Sequence, residues 1–522
     1  MNEDKIEQNA LEILEQLGYG VLSGPSIGPE GSGERKSYRD IILEDRFAKA
    51  VKNLNTHIPE TAIAEAIGKV RRSTGTSLLL DNKDFHSYLA NGVEVEYRTE
   101  SGDIKPDLVR LFDFHNPTEN EFLAINQYTI IEGEHNRRPD IILFVNGLPL
   151  VVLELKNAVD VKADVKAAFN QIQTYKREIP SLFRFNELCI ISDGLDARVG
   201  TISANFERFM TWKTVGGEKE VGNVPMLEVL LRGVCTPERL LDIARNYVVF
   251  ERDDTEKSFI KKTAAYHQYW AVNKAMTSTL AATQGDHRAG VVWHTQGSGK
   301  SLSMVFYTGK LIGSPELENP TVVVVTDRND LDGQLFDTFA NCNDLLRQDP
   351  VQATSRAHLV ELLDREAGGV IFTTIQKFYP EEGENEYPTL TERSNVIVMA
   401  DEAHRSQYGF SARIRENDGA MVYGNAKYMH DALPNASFIG FTGTPIEFED
   451  RSTPAVFGNY IDIYDIKQAV EDKATVPIYY ESRLIDLGMD EEAKEWLDQE
   501  MDALLEGEDL DRQAERGYFN HQ

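Results

Sequence analysis

The chain has 522 residues, of which 41% are hydrophobic, 27% charged and only three are cysteines. That length gives room for about three to four domains, and the composition excludes wholesale disorder, a disulfide framework and a zinc module. Lys and Arg number 54 against 85 Asp and Glu, for a net charge of −31. A broad non-specific coat for nucleic acid is thereby excluded, and any DNA contact is confined to local basic clusters.

The N-terminal stretch MNEDKIEQNALEILEQLGYG is acidic and amphipathic, unlike a signal peptide. Ile6, Leu11, Ile13, Leu14 and Leu17 recur at helical spacing and Gly18 closes the helix; Glu7 reads as an exposed position on it, the alternative being a further acidic member of a carboxylate cluster farther along the chain. GPSIGPEGSGER (24–35) reads as a loop. IILFV (141–145) and LVVLEL (150–155) read as paired strands joined by Asn146-Gly147-Leu148-Pro149. A helix is expected from Asp164 to Arg177, a surface loop at 216–223 and a helical connector at 236–262. Beyond it GVVWH, TVVVVT, GVIFTT, VIVMA and SFIGFT alternate with helical stretches. That is the pattern of a mostly parallel sheet with helices on its faces. The expected units are 1–235, the connector 236–262, 263–453, and 454–522, the start of a further α/β unit. This last segment runs into an acidic tail, with 13 acidic and 3 basic residues from Leu484 to Gln522. No apolar run approaches the roughly 20 residues that cross a bilayer, so the expectation is a cytoplasmic protein without membrane contact.

The strongest local motif is His294-Thr295-Gln296-Gly297-Ser298-Gly299-Lys300-Ser301, between a strand and a helix. Small residues let backbone N–H groups turn in around phosphates; Lys300 would sit by the β and γ oxygens and the Ser301 hydroxyl would reach Mg²⁺. His294 replaces the usual first glycine. The strand VIVMA then delivers Asp401-Glu402-Ala403-His404. Asp401 suits a Mg²⁺ position and Glu402 suits the polarisation of a water attacking ATP.

These residues resemble the superfamily 2 helicase-like motors, over about 265 to 450. The resemblance implies that Gln268 reads adenine and that His404 belongs to the nucleotide site. Thr326-Asp327-Arg328 and Thr373-Thr374-Ile375-Gln376 would contact DNA, and Phe441-Thr442-Gly443-Thr444-Pro445 would link hydrolysis to strand movement.

A second cluster lies upstream. Asp140 opens the first strand of the pair and Glu154-Leu155-Lys156 ends the second, with Glu154 and Lys156 on one face. Two carboxylates and the Leu155 main-chain carbonyl make a hard-oxygen site for Mg²⁺, with Lys156 placed to orient or deprotonate a water. Gln171 and Tyr175 share one helix face at i, i+4. Arg137, Arg138, Lys162, Lys166 and Lys176 flank the cluster as candidate phosphate contacts or solubilising charges.

This cluster resembles the PD-(D/E)xK nuclease core with its Q-x-x-x-Y extension. The fold expected is α/β: a PD-(D/E)xK nuclease-like domain, then a RecA-like doubly wound parallel sheet, then the start of a second RecA-like domain. NGLPLVVLELK with HTQGSGKS resembles the restriction subunits of type I restriction–modification enzymes. The resemblance implies ATP and Mg²⁺ as cofactors and double-stranded DNA, modification (methyltransferase) and specificity subunits as partners. It implies ATP-driven translocation and cutting away from the recognition site. No late Gln-x-x-Gly-Arg motif follows, so the second half of the motor is expected to be missing, leaving a chain that binds ATP without turning it over well. Two alternatives stand beside this reading: a translocase whose nuclease-like domain only grips DNA, and a shortened, non-cycling assembly subunit.

Overall fold

The protein is described from a computed structural model. The structure describes residues 3–476 apart from 74, 76, 100, 158–163, 219–223, 254–257, 327–328, 379–387, 404–412, 415–420, 423–424, 445–446 and 449–450. Lys162, Asp327, Arg328, His404, Pro445 and the acidic tail therefore lie outside the described residues.

The first sheet has seven strands and mixed direction. Gly20–Ser23 runs parallel to Phe122–Asn126, which pairs antiparallel with Ile141–Val145; Leu148–Leu155 follows antiparallel, Leu188–Ser192 runs parallel to it, and two short antiparallel strands close the edge. Both central strands, Ile141–Val145 and Leu148–Leu155, are buried on both faces, which accounts for their unbroken apolar runs. The connection is tighter than the four residues read from sequence. Asn146 and Gly147 alone make the turn, with φ of 52° and 79°, as the primed two-residue hairpin turns require. Leu148 and Pro149 join the strand, and a bulge falls where Phe144 faces Pro149. The helix Val165–Glu178 packs on this sheet, its first turn capped by the Asp164 carboxylate, which accepts from the Ala167 N–H.

The connector is only half helical. Pro237–Asn246 is a helix, but Val248–Asp253 and Ser258–Thr263 form an antiparallel hairpin. The sequence VVFERD…SFIKKT carries β-branched and aromatic residues that favour strands.

The second sheet also has seven strands, all parallel, with Arg288–His294 between Ser437–Thr442 and Tyr460–Tyr464. Thr321–Thr326, Val370–Thr374 and Val396–Ala400 fall on the expected segments. The boundary at 453/454 does not hold within the described residues. Tyr460–Tyr464 hydrogen-bonds along Arg288–His294 and completes this sheet, and residues 1–475 form one compact unit. Two adjacent strands of the sheet are thus 166 or more residues apart in sequence, a separation that local pattern does not reveal. No helix of the described residues is long and apolar enough to cross a membrane.

Candidate active site

The hairpin Ile141–Leu155 sets the first cluster. The N–H of Leu155 donates to Asp140 Oδ2 at 2.7 Å, locking one carboxylate to the end of the neighbouring strand. Lys156 Nζ donates to Glu154 Oε1 at 2.7 Å and to the Leu155 main-chain oxygen at 3.0 Å. Glu154 is 2% exposed, and its Oε2 has no hydrogen-bond partner. Burial, and then the neighbouring Asp140 charge, push its carboxyl up to about 8, against the pull of Lys156 and Tyr175. A buried carboxylate with an orphaned oxygen, a second carboxylate and a main-chain carbonyl at one strand end fit a hard divalent cation. Among the described residues no three His, Cys, Asp or Glu side chains are grouped to hold a metal. A cation here would accordingly draw its remaining ligands from water or phosphate.

Tyr175 is buried against the cluster, its hydroxyl donating to the Arg138 main-chain oxygen at 3.4 Å. Gln171 lies one turn earlier on the same helix. Of the flanking basic residues, Arg137 is paired with Glu178, Lys176 donates to Gln173 Oε1 at 2.7 Å, and Lys166 lies over the Phe206 ring. Glu7 is not the exposed helix residue expected. Its two carboxylate oxygens accept from Asn126 Nδ2 and Gln127 Nε2, each at 2.7 Å, and the Gln127 N–H donates to the Asp140 main-chain oxygen at 3.0 Å. Nothing in the local sequence near Glu7 marks this link, which depends on a strand 119 residues away.

The second cluster gathers at the C-terminal ends of the parallel strands, where the strand order reverses and ligands of such sheets bind. Gly297 and Gly299 have φ of 85° and 86°, left-handed values that glycine adopts without strain. Lys300 opens the helix Lys300–Gly313, followed by Ser301 in its first turn. The Lys300 ammonium lies 3.8 Å from Glu402 Oε1, and a Cβ on Gly443 would come within 3.0 Å of it. Two motifs 102 and 143 residues downstream of Lys300 thus meet at its one nitrogen. Asp401 is fixed by its N–H to the Val325 oxygen, and its Oδ1 accepts from the Glu402 N–H at 2.9 Å.

Gln268 is buried against the loop. Its Nε2 donates to the Gly299 oxygen at 3.0 Å and its Oε1 accepts from the Ala265 N–H at 2.9 Å. Thr295 donates its N–H to the Tyr464 oxygen, and Ser298 Oγ donates back to the Thr295 oxygen. Gln296 is exposed beside them.

The departure at His294 has a structural cause. This residue ends its strand fully buried, with Nε2 2.8 Å from Asp462 Oδ2. His267 stacks on Tyr464 with ring centroids 4.0 Å apart, and its Nε2 meets the Ser298 oxygen at 3.0 Å. Sequence reading missed Asp462, Tyr464 and His267. The strand YIDIY was the available signal, read as the opening of another unit.

Residues 1–208 match the type I restriction enzyme R protein N terminus, and residues 267–514 match the SWI2/SNF2 ATPase family. The chain is 49% identical over 516 residues to the type I restriction enzyme HindI endonuclease subunit of Haemophilus influenzae, covering 97% of this chain and 48% of that protein. It is 36% identical over 532 residues to the putative type I restriction enzyme MjaIXP endonuclease subunit of Methanocaldococcus jannaschii, with the same coverages. Among solved structures, the Type ISP restriction-modification enzyme LlaBIII bound to DNA aligns at a TM-score of 0.29 and 14% identity, over 44% of this chain and 17% of that one. The chain spans about half the length of the curated relatives it matches.

Proposed function

The chain belongs to the family of type I restriction enzyme endonuclease subunits, and from that premise we propose that it supplies the nuclease and ATP-binding parts of a restriction subunit. In this reading the chain holds one face of the ATP site; once a second motor half completes that site, ATP turnover drives passage along duplex DNA, and a Mg²⁺-dependent double-strand cut follows away from the recognition site. Recognition and methylation fall to specificity and modification subunits. The observation that carries the reading is the buried Glu154 with its orphaned oxygen, set between Asp140 and Lys156 in a chain whose next sheet brings Lys300 to Glu402.

Asp140, Glu154 and the Leu155 carbonyl would hold the cation, which when bound supplies charge neutralisation and an acidified water. Lys156 would orient a water there and take part in its proton balance through Nζ. Tyr175 and Gln171 hold the wall against which Glu154 packs. At the other site Gly297, Ser298, Gly299 and Lys300 bind the phosphates of ATP. Ser301 and Asp401 would hold its Mg²⁺, Glu402 would polarise the attacking water, and Gln268 would exchange its contact with the Gly299 oxygen for the adenine edge.

The test is cleavage and ATP turnover by the chain assembled with modification and specificity subunits, the second motor half supplied, on unmethylated duplex DNA. Glu154→Ala and Lys156→Ala should abolish cutting and leave ATP turnover intact, whereas Lys300→Ala should abolish both. Cutting that survives Glu154→Ala would point instead to a domain that only grips DNA. ATP turnover that survives Lys300→Ala would remove the phosphate-loop assignment.

A further inference from the structure

A cavity of about 260 Å³ lies away from both clusters, between the helix Leu78–Asn91 of the first domain, the connector, and the helices Lys300–Gly313 and Asn343–Leu346 of the ATPase domain. Four cationic side chains line it: Lys83, Arg245, Lys310 and Arg347. Two are neutralised in place, Lys83 by Asp344 at 2.6 Å and Lys310 by Asp242 at 2.8 Å. The two arginines are not. Among the described residues neither Arg245 nor Arg347 makes an ion pair, and the Arg245 guanidinium lies over the Phe114 ring, 4.6 Å from its centroid.

The arginines also repel one another. Burial, and then the Arg347 charge, hold Arg245 below its ordinary value, with Asp242 pulling the other way; burial lowers Arg347 as well. Arg347 is held at the end of its helix in a left-handed conformation, φ 55°, where glycine or asparagine is the usual choice. In a chain carrying a charge of −31, two guanidiniums without an ion-pair partner among the described residues, Arg245 half-buried and Arg347 exposed, line a cavity whose one lining carboxylate, Asp344, is already taken by Lys83, and they leave its charge unbalanced toward the cationic. Guanidinium forks match phosphoryl oxygens and bind them by paired, charge-assisted hydrogen bonds. A DNA duplex, whose major groove alone is about 12 Å wide, does not enter a cavity of this size.

We propose that this cavity is a second anion site, which takes a small phosphate-bearing anion between Arg245 and Arg347. The anion is either free or the phosphate chain of a nucleotide. Bound there, it touches the first domain, the connector and the helix that follows the phosphate loop, and so holds the three together.

The test is thermal unfolding of the full chain in EDTA at constant ionic strength, titrated with inorganic pyrophosphate and, separately, with ADP. Lys300→Ala serves as the background, to silence the phosphate loop. Pyrophosphate should raise Tm in that background. Arg245→Gln or Arg347→Gln should weaken the apparent affinity by about tenfold or more, the loss expected for a charge-assisted contact. Arg347→Gln removes the repulsion and should keep or raise the anion-free Tm, which separates lost binding from lost folding. A response to ADP as well would assign the anion to a nucleotide; a response to pyrophosphate alone would assign it to the free ion. No shift in the Lys300→Ala background, or an equal shift in both arginine variants, would overturn the proposal.

Discussion

Lys300 lies beside Glu402 and Gly443 with no aspartate or glutamate closer than 3.8 Å among the described ion pairs, so its charge is available to a polyphosphate. Lys300→Ala should therefore weaken ATP binding by at least about tenfold, measured by equilibrium titration, with any residual, ATP-independent nicking by the isolated chain unchanged while ATP-dependent cutting is lost. His267 gives a pH signature. Burial, and then His294, press its ring down to about 4, and burial brings His430 to a similar value. Both rings are neutral in the folded protein and protonate near 6.5 when unfolded. Stability is thus fully present above about pH 6.5 and lost as pH falls toward 4. Unfolding midpoints measured from pH 7 to 4 should fall, and His267→Gln, which keeps a donor toward the Ser298 oxygen, should flatten part of that slope. At this scale the sequence was most legible where a motif is contiguous. Glycine 297, Gly299, Lys300, Glu154 and Lys156 all stand where their spacing put them. His294 and Glu7 were opaque because their partners, Asp462 and Asn126, arrive from distant strands.

Among the elements, the turn at Asn146-Gly147 governs the nuclease cluster, since it sets which residues of the two strands face each other. A Cβ on Gly147 would come 2.7 Å from the Leu43 oxygen and 2.8 Å from the Phe47 nitrogen, at a φ that side chains rarely adopt. Gly147→Ala should cost about 2–4 kcal/mol by denaturant unfolding, and at permissive temperature it should lower cutting more than ATP binding. Asp164→Ala removes the cap of the helix that carries Tyr175 and should cost about 1 kcal/mol. The five core strands of the ATPase sheet were readable because buried parallel strands are nearly continuous apolar runs. The hairpin in the connector and the edge strand Tyr460–Tyr464 were not, because polar and apolar residues mingle there: the first read as helix, the second as a new unit.

Across the whole molecule, the joint between the first domain and the connector is held by charge in a dry place. Lys261 Nζ and Glu187 Oε2 lie 2.9 Å apart with both side chains fully buried, and His86 and Asn82 complete the group. Burial pushes the Glu187 carboxyl up, but Lys261 and His86 outweigh it and hold it below its ordinary value. Lys261→Met should cost about 3–5 kcal/mol by stranding Glu187, and pairing it with Glu187→Leu should recover much of that loss. Both are read from unfolding in the full chain. The edge strand of the ATPase sheet has a further consequence, one of order in time. His294 leaves the ribosome 168 residues ahead of Asp462, an interval of roughly 8 to 34 s at the usual 5–20 residues per second. For that interval the strand before the phosphate loop has an open flank and its histidine no carboxylate. The seven strands of the first sheet are all made by Thr211. The first sheet, with the Asp140–Lys156 cluster it carries, is thus free to fold early in translation, while the strand before the phosphate loop waits for the last strand of its own sheet.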